Sequence, residues 1–251
     1  MQLLWMPEGL DTTAFALGCV AAFLVGLNKT GLPGVALVSV SLMAGILPAK
    51  MSVGALLPML LVADFFAVFR YHRHARWRYL LVVMPWIGAG IAAGSWFLGR
   101  VQNTTMKPLL GCLVLGLLVL DFVRLRLHDT RLSNSRWFSA FCGVSAGFAT
   151  TVGNAAGPIT AIYFLTKGLD KEEFMGTRAW YFMIFNAIKL PIFKHNGMIT
   201  AATLSLDLAV IPAIALGAIT GIKLLPHIRQ NRFEWLVRIL AALTAMRLIF
   251  S

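Results

Sequence analysis

The chain has 251 residues, 59% of them hydrophobic and only 13% charged, with a formal net charge of +12. A soluble domain of ordinary composition carries about 25% charged residues, so this balance excludes one. The basic residues stand in short clusters between apolar runs, the pattern of cytoplasmic loops in a membrane protein, and this argues against a nucleic-acid partner.

Residues 1–11 lack basic charge and carry Glu8 and Asp11, the reverse of a signal-peptide start, so no cleavable leader is expected. A short apolar piece follows at 15–27, then a polar Gly/Pro break at 28–34 and a second apolar piece at 35–47. Three longer apolar segments, 51–69, 79–98 and 108–123, read as membrane crossings. After the polar, basic stretch 124–136 the same order recurs: a short piece at 137–149, a break at 150–158, a short piece at 159–167, and longer segments at 174–193, 206–225 and 235–250.

The recurrence is residue by residue in places. Cys19 matches Cys142, Gly34 matches Gly157, Gly45 matches Gly168, and Asp64 matches Asn186 after one deletion. Pro85, Gly90 and Gly94 match Pro212, Gly217 and Gly221 at identical spacing. These glycine pairs read as close helix contacts. The expected fold is therefore an all-α polytopic membrane protein with a single membrane domain over 1–251. Repeat one spans 15–123, the linker 124–136 and repeat two 137–251, each repeat a broken-helix hairpin plus three transmembrane helices.

Charge orients the spans. Arg70, Arg73, Arg76 and Arg78 crowd one loop, and Arg124, Arg126, Arg131 and Arg136 another. Both are expected in the cytoplasm, with the poorer loop of Arg100 and Lys107 outside. In the second half the rich and poor loops exchange places. Lys167, Lys171 and Arg178 fall inside, as do Lys223, Arg229 and Arg232, and Lys194 falls outside. The halves then have opposite orientation, an inverted repeat with both termini on the outer side of an inner membrane. A 13-residue helix rises about 20 Å against a core of about 30 Å. Each hairpin is therefore expected to be re-entrant, with two tilted full spans as the alternative.

The breaks carry the chemistry. Each sets hydroxyl or amide side chains among glycines ahead of a new helix, whose free N–H groups suit an anion. Asn28, Lys29, Thr30, Gly31 and Gly34 in the first, and Thr150, Thr151, Gly153, Asn154 and Gly157 in the second, are the candidate substrate ligands. Lys29 supplies the charge; Val152 occupies its aligned place in the second break. Lys189 and Arg238 are expected to snorkel to span ends. Asp64 is expected to pair with an Arg of the loop at 70, with a coupling or gating role, shared with Asn186, as the sharper alternative. Asp207 is expected at the interface, and His72 and His74 in an ordinary loop. Cys19, Cys112 and Cys142 read as packing residues. No catalytic motif, metal-ligand spacing or nucleotide loop is present, so neither an enzyme nor a cofactor is expected.

The segments Val25-Gly-Leu-Asn-Lys-Thr-Gly-Leu-Pro-Gly34 and Gly147-Phe-Ala-Thr-Thr-Val-Gly-Asn-Ala-Ala-Gly-Pro158 resemble the break motifs of the TauE/SafE sulfite exporter family, also called the toluene sulfonate uptake permease family. The likeness runs over nearly the whole chain. It implies secondary transport of sulfite, organosulfonates or related small anions, without fixing the substrate or the direction. An anion channel and a carrier of small carboxylates are the alternatives. The expected partners are the small anion and the lipid bilayer, with a homodimer left open.

Overall fold

The structure is a computed structural model that describes residues 12–47, 49–98, 115, 116, 119 and 135–250. Most of the segment read at 108–123 lies outside the described residues, as do residues 124–134 of the linker, Cys112 and residues 1–11. The elements are α1 (Thr12–Thr30), α2 (Ala36–Ile46), α3 (Ala49–Tyr71), α4 (Trp77–Leu98), α5 (Arg136–Gly153), α6 (Ala156–Thr166), α7 (Lys171–His195), α8 (Ala201–Ala209), α9 (Ile211–Leu224) and α10 (Gln230–Phe250). Short 3-10 turns follow α3 at His72–His74 and α9 at Leu225–His227.

Among the described residues three helical stretches, Thr12–Thr30, Met51–His74 and Trp77–Trp96, are long and apolar enough to cross a bilayer, and α8 with the helical run after it is a fourth, bent by 48°. Phe65, Phe69, Trp96, Trp137 and Leu208 turn outward while Lys29, Asp64, Arg178 and Lys189 are buried. Apolar surface outside and charge within is the distribution lipid demands. The chain is a multi-pass membrane protein.

It folds as two compact units that draw on both halves of the sequence. The first is Met1–Arg73 with Ala179–Ile228, the second His74–Arg178 with Arg229–Ser251.

In the first unit α1 lies along α9, with α2, α3 and α8 around them. Ala21, Ala22 and Val25 of α1 meet Met43, Ala55, Leu56, Met59 and Ala63, and Leu206, Val210 and Ile214 close the same core. The small residues let α1 and α9 touch along their backbones. A Cβ on Gly217 would collide with the Phe23 carbonyl, and one on Gly26 with the carbonyl of Ile214. In the second unit α4 lies along α5 in the same way. A Cβ on Gly90 would collide with the Val144 carbonyl, and one on Gly147 with that of Ile87. So the matched glycines Gly90 and Gly217 make the same kind of contact, each against the first helix of the other half of the sequence. Beside this crossing runs an aromatic series, Phe138, Tyr163, Phe164, Phe174 and Phe233, with successive centroids 5.3–6.3 Å apart.

Three boundaries differ from the sequence reading. The first arm extends three residues further, so Asn28, Lys29 and Thr30 are the last residues of α1. The 19 residues of α1 rise about 28 Å. Likewise α5 continues through Thr150, Thr151 and Gly153, and α6 already contains Gly157 and Pro158, which leaves Asn154 and Ala155 as the break. The physical reason is that threonine need not leave a helix. Thr30 Oγ1 donates to Gly26 O at 3.0 Å and Thr151 Oγ1 to Gly147 O at 2.9 Å, each one turn back in its own helix. Third, the segment read as 206–225 is two helices, broken at Val210 just before Pro212, whose missing N–H cannot join the ladder.

Candidate functional site

The end of α1 is built as a stop. Gly31 and Leu32 both donate to Leu27 O, at 2.9 and 3.0 Å, which spends the last turn's carbonyl. Gly34 takes φ 116°, a value that favours glycine, and its N–H donates to Asn28 Oδ1 at 2.8 Å. Asn28 thus ties the break back onto the helix it leaves. Thr30 Oγ1 also donates to Ala218 O of α9 at 2.8 Å, and Tyr71 Oη donates to Thr30 O at 2.9 Å. The hydroxyl proton of Thr30 is committed to carbonyls.

Lys29 is 4% exposed and lies between these anchored neighbours. Its Nζ is 2.7 Å from Asp64 Oδ1 of α3 and 3.7 Å from the centroid of the Phe182 ring of α7. The second oxygen of Asp64 accepts from Asn186 Nδ2 at 2.7 Å. Asp64 and Asn186, the positions matched between the repeats, are therefore hydrogen-bonded to each other. This corrects the expected pairing of Asp64 with an arginine near residue 70. Arg70 is exposed and stacks on Tyr71, 5.1 Å from its centroid. Lys189 is corrected as well. It does not reach a span end but is fully buried, 5.6 Å from the Phe193 centroid and under the charges of both Lys29 and Asp64.

The second break is closed differently. Asn154 adopts the left-handed conformation at φ 52°, its N–H donates to Thr150 O at 3.1 Å, and Ala155 N–H donates to Ala149 O at 3.1 Å. No side chain caps α6 at Ala155. In its first turn stands Gly157, and a Cβ there would lie 3.9 Å from Arg178 Nη2. Arg178 was expected in a cytoplasmic loop. It is instead 3% exposed, two turns into α7. A buried guanidinium beside the second break was missed although residue 178 falls inside the apolar segment read at 174–193.

The flanking charges behave as loop residues do. Arg76 Nε donates to Glu173 Oε1 at 2.6 Å, and this hydrogen bond, with the attraction of the same carboxylate, raises the Arg76 pKa above its ordinary value. His74 Nε2 lies 3.0 Å from Glu172 Oε2, with both side chains partly exposed. Arg238, expected to snorkel to a span end, is instead buried within α10, beside Glu234 one turn away at 3.4 Å. Asp207, expected at the interface, is buried, and neither carboxylate oxygen has a hydrogen-bond partner among the described residues.

Each break therefore has a buried cation at hand, Lys29 in the first unit and Arg178 in the second. Neither the curated proteins nor the solved structures compared with this chain match it. A family model does match, the one described as Sulfite exporter TauE/SafE, over residues 14–248. With a match over nearly its whole length, the chain belongs to the TauE/SafE sulfite exporter family, whose members are membrane transporters.

Proposed function

We propose that this protein is a secondary transporter of small sulfur oxyanions, sulfite or organosulfonates, working by alternating access in the cell inner membrane. On this reading its two repeats have opposite orientation and both termini lie on the outer side. The substrate's charge meets Lys29 at the first break and Arg178 at the second; Thr30, Gly31 and Gly34, whose hydroxyl and backbone donors are bonded within the protein, shape the first break with Asn28, and Thr150, Thr151, Gly153, Asn154 and Gly157 shape the second. Asp64 and Asn186 gate the first.

The observation that carries the reading is the burial of Lys29 directly ahead of a glycine-proline break. An ammonium inside a membrane is costly, and where one is kept it marks a path for ions or substrates. The family supports the choice of sulfur anions over other anions. Arg178 supports it independently, since a planar guanidinium is the side chain best suited to an oxyanion.

Thermal unfolding of the detergent-solubilised protein with sulfite, sulfate, thiosulfate, sulfonates and short carboxylates tests this. A ligand at about 100 times its Kd stabilises by about 2.7 kcal/mol. Stabilisation by a sulfur oxyanion, lost in Lys29→Ala, is expected. A shift produced only by carboxylates or by divalent cations would contradict the reading.

A further inference from the structure

Among the described residues two carboxyl side chains are buried, both in the first unit, and they are answered differently. Asp64 has Lys29 Nζ on one oxygen and Asn186 Nδ2 on the other, each at 2.7 Å. Asp207 is 5% exposed, and neither of its oxygens has a hydrogen-bond partner among the described residues. A carboxylate buried with both oxygens unanswered is costly as an ion, and far less so as the neutral acid.

The repeat shows that packing does not require an acid there. The register that pairs Pro85 with Pro212 also pairs Leu81 with Leu208, Val83 with Val210, and Leu80 with Asp207. Burial follows the same register: Leu81 and Leu208 are exposed, while Val83, Val210, Leu80 and Asp207 are buried. One half therefore fills this place with a leucine and the other with a carboxyl. The backbones part at the same point. The helix α4 runs on through Pro85, whereas the span of Asp207 breaks at Val210, three residues further on, and bends by 48°. The far end of α8 is fixed by the capping box of Thr200 and Thr203.

No other charge answers Asp207. Its helix packs on α3 and α9, and its neighbour Leu206 lies 3.6 Å from the Cβ position of Gly18 on α1. On α1, Cys19 is next to Gly18, and Lys29 is eleven residues on, about 16 Å along the helix. On α3, Asp64 is engaged by Lys29, Arg70 is exposed, and Tyr71 donates to Thr30 O. Lys50 stands one turn before Gly54, whose Cβ position meets the Met198 carbonyl, nine residues before Asp207. On α9, Lys223 is exposed and sixteen residues past Asp207. Burial acts on Asp207, and none of these charges does.

We propose that Asp207 is the proton-coupling group of the transporter: it is buried as the acid and exchanges its proton with water when the bend between α8 and α9 changes. This rests on the reading of the chain as an anion transporter. The carboxyl O–H bond breaks and its proton passes to water on one side of the membrane; the bond re-forms with a proton from water on the other. An ionisable side chain kept inside a membrane span is the usual element of such a relay. Asp64, held between Lys29 and Asn186, is not the carrier.

The test is flux of labelled methanesulfonate, an anion whose charge does not change near neutral pH, in proteoliposomes with the membrane potential clamped at zero. At one proton per anion, a gradient of about one pH unit should shift the steady-state accumulation about tenfold in the parent. The sign of the shift tells whether proton and anion travel together or in exchange. Asp207→Leu, which installs the residue its counterpart carries, should melt at or above the parent and lose the shift; Asp207→Glu should keep it. The infrared difference between parent and Asp207→Leu should contain the band of a protonated carboxyl, which a merely structural residue would not supply. A shift that survives in Asp207→Leu, or a difference spectrum without that band, overturns the proposal. If the parent moves methanesulfonate but ignores the pH gradient, the coupling is wrong while the transporter reading stands. If the parent moves neither methanesulfonate nor sulfite, the transporter reading fails and the coupling with it.

Discussion

Lys29→Met removes an ammonium 2.7 Å from a carboxylate that has no solvent exposure. Asp64 keeps its hydrogen bond from Asn186, but that bond is present before and after and so does not offset the loss. Deleting one partner of a buried ion pair costs about 3–5 kcal/mol, because the remaining charge is stranded. Lys189 still attracts Asp64, which places the expected cost near the lower end, about 3 kcal/mol. Removing both charges together should recover most of it, since a buried pair replaced by apolar groups of similar volume is often neutral. Lys29→Met with Asp64→Leu is therefore expected within about 1.5 kcal/mol of the parent. The assay is reversible unfolding in mixed micelles, followed by tryptophan fluorescence, for the parent, both single variants and the double variant. With each single loss at about 3 kcal/mol or more, the cycle should return a favourable coupling of about 4 kcal/mol or more. A Lys29→Met protein within about 0.5 kcal/mol of the parent, or a coupling near zero, would refute the claim that Lys29 holds a buried carboxylate in charge balance.

Other substitutions probe the framework. Gly90→Val and Gly217→Val should each destabilise by roughly 1–3 kcal/mol or more, because the new side chain meets backbone, whereas Gly88→Val in α4, where a Cβ meets nothing within 4 Å, should be close to neutral in the same unfolding assay. Thr30→Val removes a hydroxyl shared by the Gly26 and Ala218 carbonyls and should cost about 1–2 kcal/mol, read from the unfolding midpoint. Asn154 sits at φ 52°, so Asn154→Gly should be tolerated and Asn154→Ala should lose about 1 kcal/mol; equal stability of the two would contradict the left-handed cap.

The glycine pattern was legible because close helix approach leaves a direct mark on sequence. Gly90 and Gly217 announce a backbone contact, though not its partner, and only the structure shows α5 and α1 in that place. Lys29 was legible for a similar reason, since an ammonium after a long apolar run needs an explanation. What answers it was not. Asp64 lies 35 positions away in the chain and Asn186 lies 157 away, and no local rule links them. Arg178 and Lys189 were misplaced because counting basic residues assigns them to loops or span ends, while a side chain with a buried partner can stay inside. The breaks were read too long because Asn, Lys and Thr score as polar. Thr30 and Thr151 satisfy their hydroxyls on their own helix and Asn28 on Gly34, so the helices run on.

The central claim is that buried cations at the two breaks carry a sulfur oxyanion across the membrane. Uptake of labelled sulfite into proteoliposomes tests it most directly, comparing the parent with Lys29→Ala and Arg178→Ala, each reconstituted in equal amount and checked for folding by its melt. The account predicts saturable sulfite flux in the parent and a loss of about tenfold or more in each variant, competed by organosulfonates. Saturable flux that is unchanged in both folded variants would contradict it.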